Sequence, residues 1–270
     1  MIVTVLGSGT SHGVPMIGCD CAVCASADPR DKRTRTSIHV RYDDGYCVLV
    51  DTAPELRLQC IAHGIRRVDA VLLTHHHADH ITGLDDLRRF NWIQNAAVPV
   101  YGQPATLEAV RRMFVYAFEP DPESKSSRPA ISLHEIAGRE SAAPQGLELG
   151  GHRVVPVPLA HGDMPVLGFR FGPLRGGSKC FAYCTDCNHI ADSSLALLAG
   201  LEVLILDGLR YRPHPMHFNI AQAIDWAGRI GAGQTYLTHL THDVSHACTG
   251  AELPPGVGLA FDGQLIRVDE

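Results

Sequence analysis

The sequence predicts an α/β fold built from two sheets packed face to face, with helices on the outside. Three observations predict it. Strand-like apolar runs followed by helical patterns occur once in each half of the chain. Several runs, such as Ala70–Thr74 and Val203–Asp207, are short and almost wholly apolar, as buried strands are. His and Asp residues recur just past these runs, at strand ends where an α/β sheet places its chemistry.

The elements follow in order. Ile2 to Leu6 is a strand, followed by a Gly-rich loop from Gly7 to Pro15. No Gly-Lys-Ser/Thr follows that loop, so it is not a phosphate-binding P-loop. Cys19 to Thr36 reads as loop. Ser37–Tyr42 and Cys47–Asp51 form a hairpin around Asp43-Asp44-Gly45. Pro54 to His63 is a helix that opens on Pro and stops at Gly64. Ala70–Thr74 is a strand, Leu84–Phe90 a helix and Val98–Tyr101 a strand. Pro104 to Phe118 is one helix, with Leu107, Val110, Met113, Phe114 and Ala117 on one face. Glu119–Pro129 reads as a loop or lid, because strand patterning resumes after it. Ile131–Ile136, Leu147–Val157, Val166–Phe171 and Lys179–Cys184 are strands, and Ser193–Ala199 is helical. Val203–Asp207 is a buried strand. Asn219 and Gln222 form a capping box that opens a helix to Arg229. Thr235–Thr238 and Leu265–Val268 close the fold.

The chain of 270 residues is read as one domain spanning 1–270. No apolar run approaches the roughly 20 residues of a membrane helix. The start, Met1 to Gly7, enters strand-like sequence without a basic region, which predicts no signal peptide. Net charge is −6, which argues against a polyanion such as nucleic acid as the habitual partner. The nine cysteines are an odd set, several in apolar surroundings, which predicts reduced thiols and a cytoplasmic location.

The segment Thr74-His75-His76-His77-Ala78-Asp79-His80 holds four metal-competent side chains in the pattern H-x-H-x-D-H. Imidazole and carboxylate suit zinc, manganese or iron better than calcium. His75 and His77 can turn to one metal, Asp79 and His80 to a second. A His-rich surface tract or an expression tag would not follow a buried strand. Two metals need further ligands. His161, Asp186 and His239 each follow a strand-like run, and an Asp can bridge two metals.

On these seven residues, in this order, the chain resembles the metallo-β-lactamase superfamily. The resemblance covers essentially the whole chain. It implies an αββα four-layer sandwich with two divalent metals, zinc or manganese, at one sheet edge. Asp51, in Leu49-Val50-Asp51-Thr52, matches a superfamily aspartate that supports the metal loop from behind the ligands.

Cys19-x-Cys21-x-x-Cys24 offers three thiolates at zinc spacing, and a structural zinc needs a fourth ligand. His242, three residues past His239, is a candidate. The loop from Gly7 to Cys24, with this triplet and Thr238-His239-Leu240-Thr241-His242, resembles the phosphoribosyl cyclic phosphodiesterases of bacterial phosphonate breakdown. That family implies that His239 holds a catalytic metal and His242 completes a structural zinc site. Cys184-Thr185-Asp186-Cys187 mimics a redox pair but brackets a metal candidate, so both thiols are read as structural.

The expected reaction is hydrolysis of a small, cyclic-ribose phosphodiester. Two metals about 3.5–4 Å apart lower the pKa of a shared water and neutralise phosphate charge. His217, before the capped helix, matches the family's catalytic histidine and is the candidate general acid; Asp79 is given a second role in orienting the nucleophile. His214 is a further candidate, more often an exposed loop histidine. Arg210 and Arg212 are candidates for gripping a second phosphate. The Arg210–His217 stretch departs from the phosphonate-pathway pattern, which leaves the substrate open. The alternatives are an RNA-processing nuclease of the tRNase Z type, which would need a basic arm, a non-catalytic cofactor-biosynthesis or carrier relative, and a β-lactamase or lactonase. The family also suggests a homodimer.

Overall fold

A computed structural model describes the chain except residues 120–125, 137–145, 175–179 and 269–270. The first sheet contains β1 (Ile2–Gly7), β2 (Ser37–Arg41), β3 (Cys47–Val50), β4 (Ala70–Leu72), β5 (Val98–Gly102) and β6 (Ile131–Glu135). The second contains β7 (Leu147–Leu149), β8 (His152–His161), β9 (Met164–Phe171), β10 (Phe181–Cys184), β11 (Val203–Asp207), β12 (Gln234–Thr238) and β13 (Val257–Leu259). β14 (Leu265–Arg267) returns to the first sheet beside β1. Strand orders are β14-β1-β2-β3-β4-β5-β6 and β13-β12-β11-β10-β9-β8-β7.

Alternation along the strands builds the layers. Val3, Val5, Ile38, Val40, Val48 and Val50 point inward and meet Phe169, Phe171, Phe181, Tyr183 and Ile205 of the other sheet. Leu6, Leu49, Val71 and Leu73 point outward, toward α1 (Leu56–Ala62), α2 (Ala78–Ile81), α3 (Leu87–Gln94) and α4 (Pro104–Met113). A short α5 (Val115–Phe118) follows α4. On the far side, α6 (Asp192–Leu197) and α7 (Ile220–Ile230) cover Leu204, Leu206 and Leu237, and α8 (His246–Glu252) lies beside β13. The αββα sandwich is therefore present, and both faces of the central strands are buried.

The parallel pairs β3–β4 and β10–β11–β12 end at a common edge of the sandwich. β8 is antiparallel to β9, and β9 to β10, so β8 ends at that edge too.

Some expectations need correction. Leu147–Val157 is two strands, not one. Gly150 (φ 58°) and Gly151 (φ 88°) make a two-residue turn that pairs Leu149 with His152. Gly-Gly is a hairpin signal in its own right, and left-handed φ at both positions favours glycine. The helix expected over Pro104–Phe118 breaks at Phe114, whose φ of −116° and ψ of 43° leave the helical region while its ring is buried. α2, α8 and β13 were not anticipated; each is short and lacks a long apolar period. The expected lid at Glu119–Pro129 lies largely outside the described residues.

The capping box at α7 is formed. Asn219 Oδ1 accepts from Gln222 N at 2.8 Å, Gln222 Oε1 accepts from Asn219 N at 3.0 Å, and Gly231 (φ 69°) ends the helix. Asn219→Ala is expected to cost about 1 kcal/mol. An unchanged urea midpoint would show that the cap contributes nothing.

Candidate metal centre

The common edge gathers the polar groups that follow the strands. Past β3 sits Asp51, past β4 the His75–His80 loop, at the end of β8 His161, past β10 Asp186, at the end of β11 Asp207, and past β12 His239. Three of these residues adopt left-handed backbone: Asp51 (φ 62°), Asp186 (φ 52°) and His239 (φ 60°). That conformation is uncommon for a residue with a Cβ, and such outliers concentrate at functional sites.

Three sets of ligand-competent atoms result, each within 4.8 Å of one another. Two have four members, His75, His77, His161 and Asp186 in one and Asp79, His80, Asp186 and His239 in the other; the third is Asp207, His217 and His239. Asp186 belongs to both four-member sets. Its Oδ1 lies 3.4 Å from His80 Nε2, and its Oδ2 lies 3.8 Å from His75 Nε2 and 3.3 Å from His239 Nε2. Asp79 Oδ2 lies 3.4 Å from His80 Nε2 and 3.7 Å from His239 Nε2. The structure thus brings all seven candidates of this centre together, split as the loop spacing suggests.

The imidazoles are held from behind. Asp51 Oδ1 accepts from Thr74 N at 2.8 Å, and its Oδ2 accepts from Thr74 Oγ1 at 2.9 Å and from His80 Nδ1 at 2.7 Å. His161 Nδ1 donates to the Met216 carbonyl at 2.7 Å, which leaves Nε2 as a lone-pair atom. Burial and the neighbouring His80 push His75 well below the usual imidazole range, and burial holds His161 down at about 4. Burial also opposes charge on His80, yet Asp186, Asp51 and Asp79 hold its pKa well above the usual range. Burial would raise Asp186, but His239, His80 and His75 hold it well below the carboxylate range.

A divalent metal is tested by the atoms left over. His75 Nε2, His80 Nε2 and His239 Nε2 are buried and have no hydrogen-bond partner among the described residues. Buried polar atoms are ordinarily satisfied. Three orphaned imidazole nitrogens converging on shared carboxylates fit a cation, and nitrogen with carboxylate oxygen is a zinc or manganese donor set.

His217 stands beside this centre. Its ring stacks on His239 at 4.7 Å with 14° between planes, and meets His161 edge-on at 4.5 Å. Its Nδ1 donates to Asp207 Oδ2 at 2.8 Å, and the same oxygen accepts from Cys187 N at 2.9 Å. In the sequence Asp207 stands only as the end of a strand. The available signal was an acid closing an otherwise apolar buried run, as Asp51 does. His214 lies 5.0 Å from the His217 ring and accepts from Met216 N, so it is part of the loop's own turn.

Arg210 and Arg212 have partners in and around the loop. Arg210 donates to the carbonyls of Arg212 and Pro213, and Arg212 pairs with Asp243 at 3.2 Å. These contacts hold the Arg210 guanidinium to the loop that leads to His217 and tie Arg212 of that loop to Asp243.

The cysteine loop closes a separate cluster of Cys19, Cys21, Cys24 and His242, again within 4.8 Å. Cys19 Sγ and Cys21 Sγ lie 3.1 and 3.4 Å from His242 Nδ1. A backbone amide donated by Cys24 helps hold Cys21 down at about 6, whereas burial pushes Cys24 up to about 11. Three sulfurs and one imidazole nitrogen fit a closed tetrahedral zinc site. The buried Arg33 fastens this loop, donating to the Thr241 carbonyl and to Asp31, each at 3.0 Å. Cys184 and Cys187 are both buried free thiols.

A family model described as a beta-lactamase superfamily domain matches residues 46–240. The chain belongs to the metallo-β-lactamase superfamily. Within it, the chain resembles the crystal structure of a diphosphatase from the PhnP family, with 42% identity, a TM-score of 0.87, and coverage of 98% of this chain and 96% of that one. A protein named octanoyltransferase, from Porphyromonas gingivalis, is 39% identical over 98% of this chain. The chain spans about half the length of that relative, 51%. Coenzyme PQQ synthesis protein B of Methylorubrum populi is 30% identical over 77% of this chain and 73% of its own length. Among the described residues, no helix of this superfamily member is long and apolar enough to cross a membrane.

Proposed function

We propose that this chain is a metal-dependent hydrolase of a small phosphodiester, a cyclic ribose phosphodiester by preference. The observation that carries the reading is the pair of four-residue clusters sharing Asp186, with His217 seated against both His161 and His239. The proposed ligands are His75, His77 and His161 for one divalent metal and Asp79, His80 and His239 for the other, with Asp186 between them. When bound, the metals supply positive charge to the phosphate and a more acidic water. Cys19, Cys21, Cys24 and His242 are proposed to hold a structural zinc.

The chain's own residues do the rest. Asp207 fixes the His217 ring through Nδ1 and carries the counter-charge for its protonated form. Nε2 of that ring then delivers a proton to the leaving alkoxide. Asp79 orients the attacking water. Asp51 keeps His80 in the tautomer whose Nε2 lone pair faces the cluster.

The diphosphatase relative favours a second reading, in which the bond cleaved is a phosphoanhydride. The longer octanoyltransferase relative adds an acyl ester as a substrate to be excluded. The test is phosphorus NMR of 5-phosphoribosyl 1,2-cyclic phosphate with manganese-loaded protein, with a nucleoside diphosphate-sugar and an octanoyl ester in parallel. Ring opening of the cyclic phosphate is expected. Cleavage of the diphosphate alone would replace the substrate class, and turnover of none of them by fully metal-loaded protein would sink the hydrolase reading.

A further inference from the structure

The outer face of the first sheet is only partly covered. α1 has seven residues and lies over the end of the sheet nearest Asp51, against Leu6 and Leu49. Beyond its C-terminus the same face is open. Thr4, His39 and Arg41 project there, because Val3, Val5, Ile38 and Val40 take the inward positions of β1 and β2. The result is a cavity of about 350 Å³. It is within the size range of small-ligand pockets.

Its lining has one sign of charge. His39, Arg41, His63, Arg66 and Arg67 contribute to the wall, and no acid among the described residues does. Arg67 is paired with Asp69 at 2.8 Å. The guanidinium groups of Arg41 and Arg66, both exposed residues, have no hydrogen bond or ion pair among the described residues. His39 is 4% exposed, and its Nε2 donates to the Arg67 carbonyl at 3.0 Å, which anchors the arginine segment to the sheet. Apolar groups, Ile65 and the 68%-exposed Leu265, complete the rim. In a chain of net charge −6, an acid-free concavity with two unpaired guanidinium groups is a local reversal of sign. Arg41 pairs across the ladder with Cys47, at the start of β3, whereas Asp51 follows the end of that strand. The cavity is therefore at the opposite end of β3 from the metal centre.

We propose that this cavity is a second ligand site, for a small molecule carrying a phosphate or diphosphate on an apolar body. Guanidinium forks match phosphate oxygens in pairs, and Arg41 and Arg66 are the two not already engaged. Ile65 and Leu265 take the non-polar part. The site is independent of the reaction proposed for the metal centre.

The test uses full-length, metal-loaded protein and methylenediphosphonate, a diphosphate mimic that cannot be hydrolysed. Histidine-selective nitrogen-15 NMR follows His39 and His63 as cavity reporters and His217 as the metal-centre reporter. Saturable shifts at His39 and His63 are expected, with the dissociation constant rising at least tenfold in Arg41→Gln/Arg66→Gln while turnover is unchanged. Shifts confined to His217, or identical cavity shifts in the double variant, would overturn the proposal.

Discussion

Asp186→Asn is expected to release at least one catalytic-site metal and to lower kcat by about 10³-fold or more, a loss of roughly 4 kcal/mol in transition-state stabilisation. Asparagine is the sharper test than alanine, because Asp186 sits at a φ of 52° and asparagine tolerates that backbone while alanine resists it. The amide keeps one oxygen and loses the charge. Asp186 uses both oxygens, one toward His80 and the other toward His75 and His239. A single neutral oxygen can serve one cluster but not both. Under the proposed ligand set, metal analysis of dialysed protein should fall from roughly three equivalents per chain to about two or fewer, with the Cys19–Cys21–Cys24–His242 zinc retained. Full retention of metal together with wild-type turnover would refute a shared aspartate.

The layers were legible because the central strands are buried on both faces and read as unbroken apolar runs. The metal loop was legible because its side chains are contiguous between His75 and His80. His161, Asp186 and His239 are far apart in sequence, yet each ends an apolar run, so strand-end position substituted for proximity. Asp207 shares that position but carries no other signal. It has no metal-competent neighbour in sequence, and its partner His217 is ten residues away across a loop. Arg210 and Arg212 show what pattern leaves out: proximity to His217 suggests phosphate binding, while the loop carbonyls and Asp243 that these side chains meet are not legible in the sequence. The open cationic cavity was equally invisible, since His39, Arg41, His63 and Arg66 come from one strand, a helix end and the loop after it, which only the folded chain brings together.

Loss of the His217 imidazole is expected to reduce kcat by roughly 10²–10⁴-fold on an alkyl phosphodiester, with little change in bound metal. The discriminating readout is the leaving group. An alkoxide needs a proton as it departs, whereas 4-nitrophenolate leaves without one. With bis(4-nitrophenyl) phosphate the deficit of His217→Ala should therefore shrink to about tenfold or less. An equal deficit on both substrates would mean that His217 supports the metal centre through its stacking on His239 and donates no proton. Asp207→Asn separates positioning from proton delivery. It removes the negative charge behind Nδ1, and it leaves the buried amide able to accept from Cys187 N. A reduction of about 10–100-fold is expected, the usual cost of removing a partner behind a functional histidine. The loss should fall on the alkyl phosphodiester and largely spare bis(4-nitrophenyl) phosphate, as for His217→Ala. A merely structural Asp207 would lower stability and affect both substrates alike.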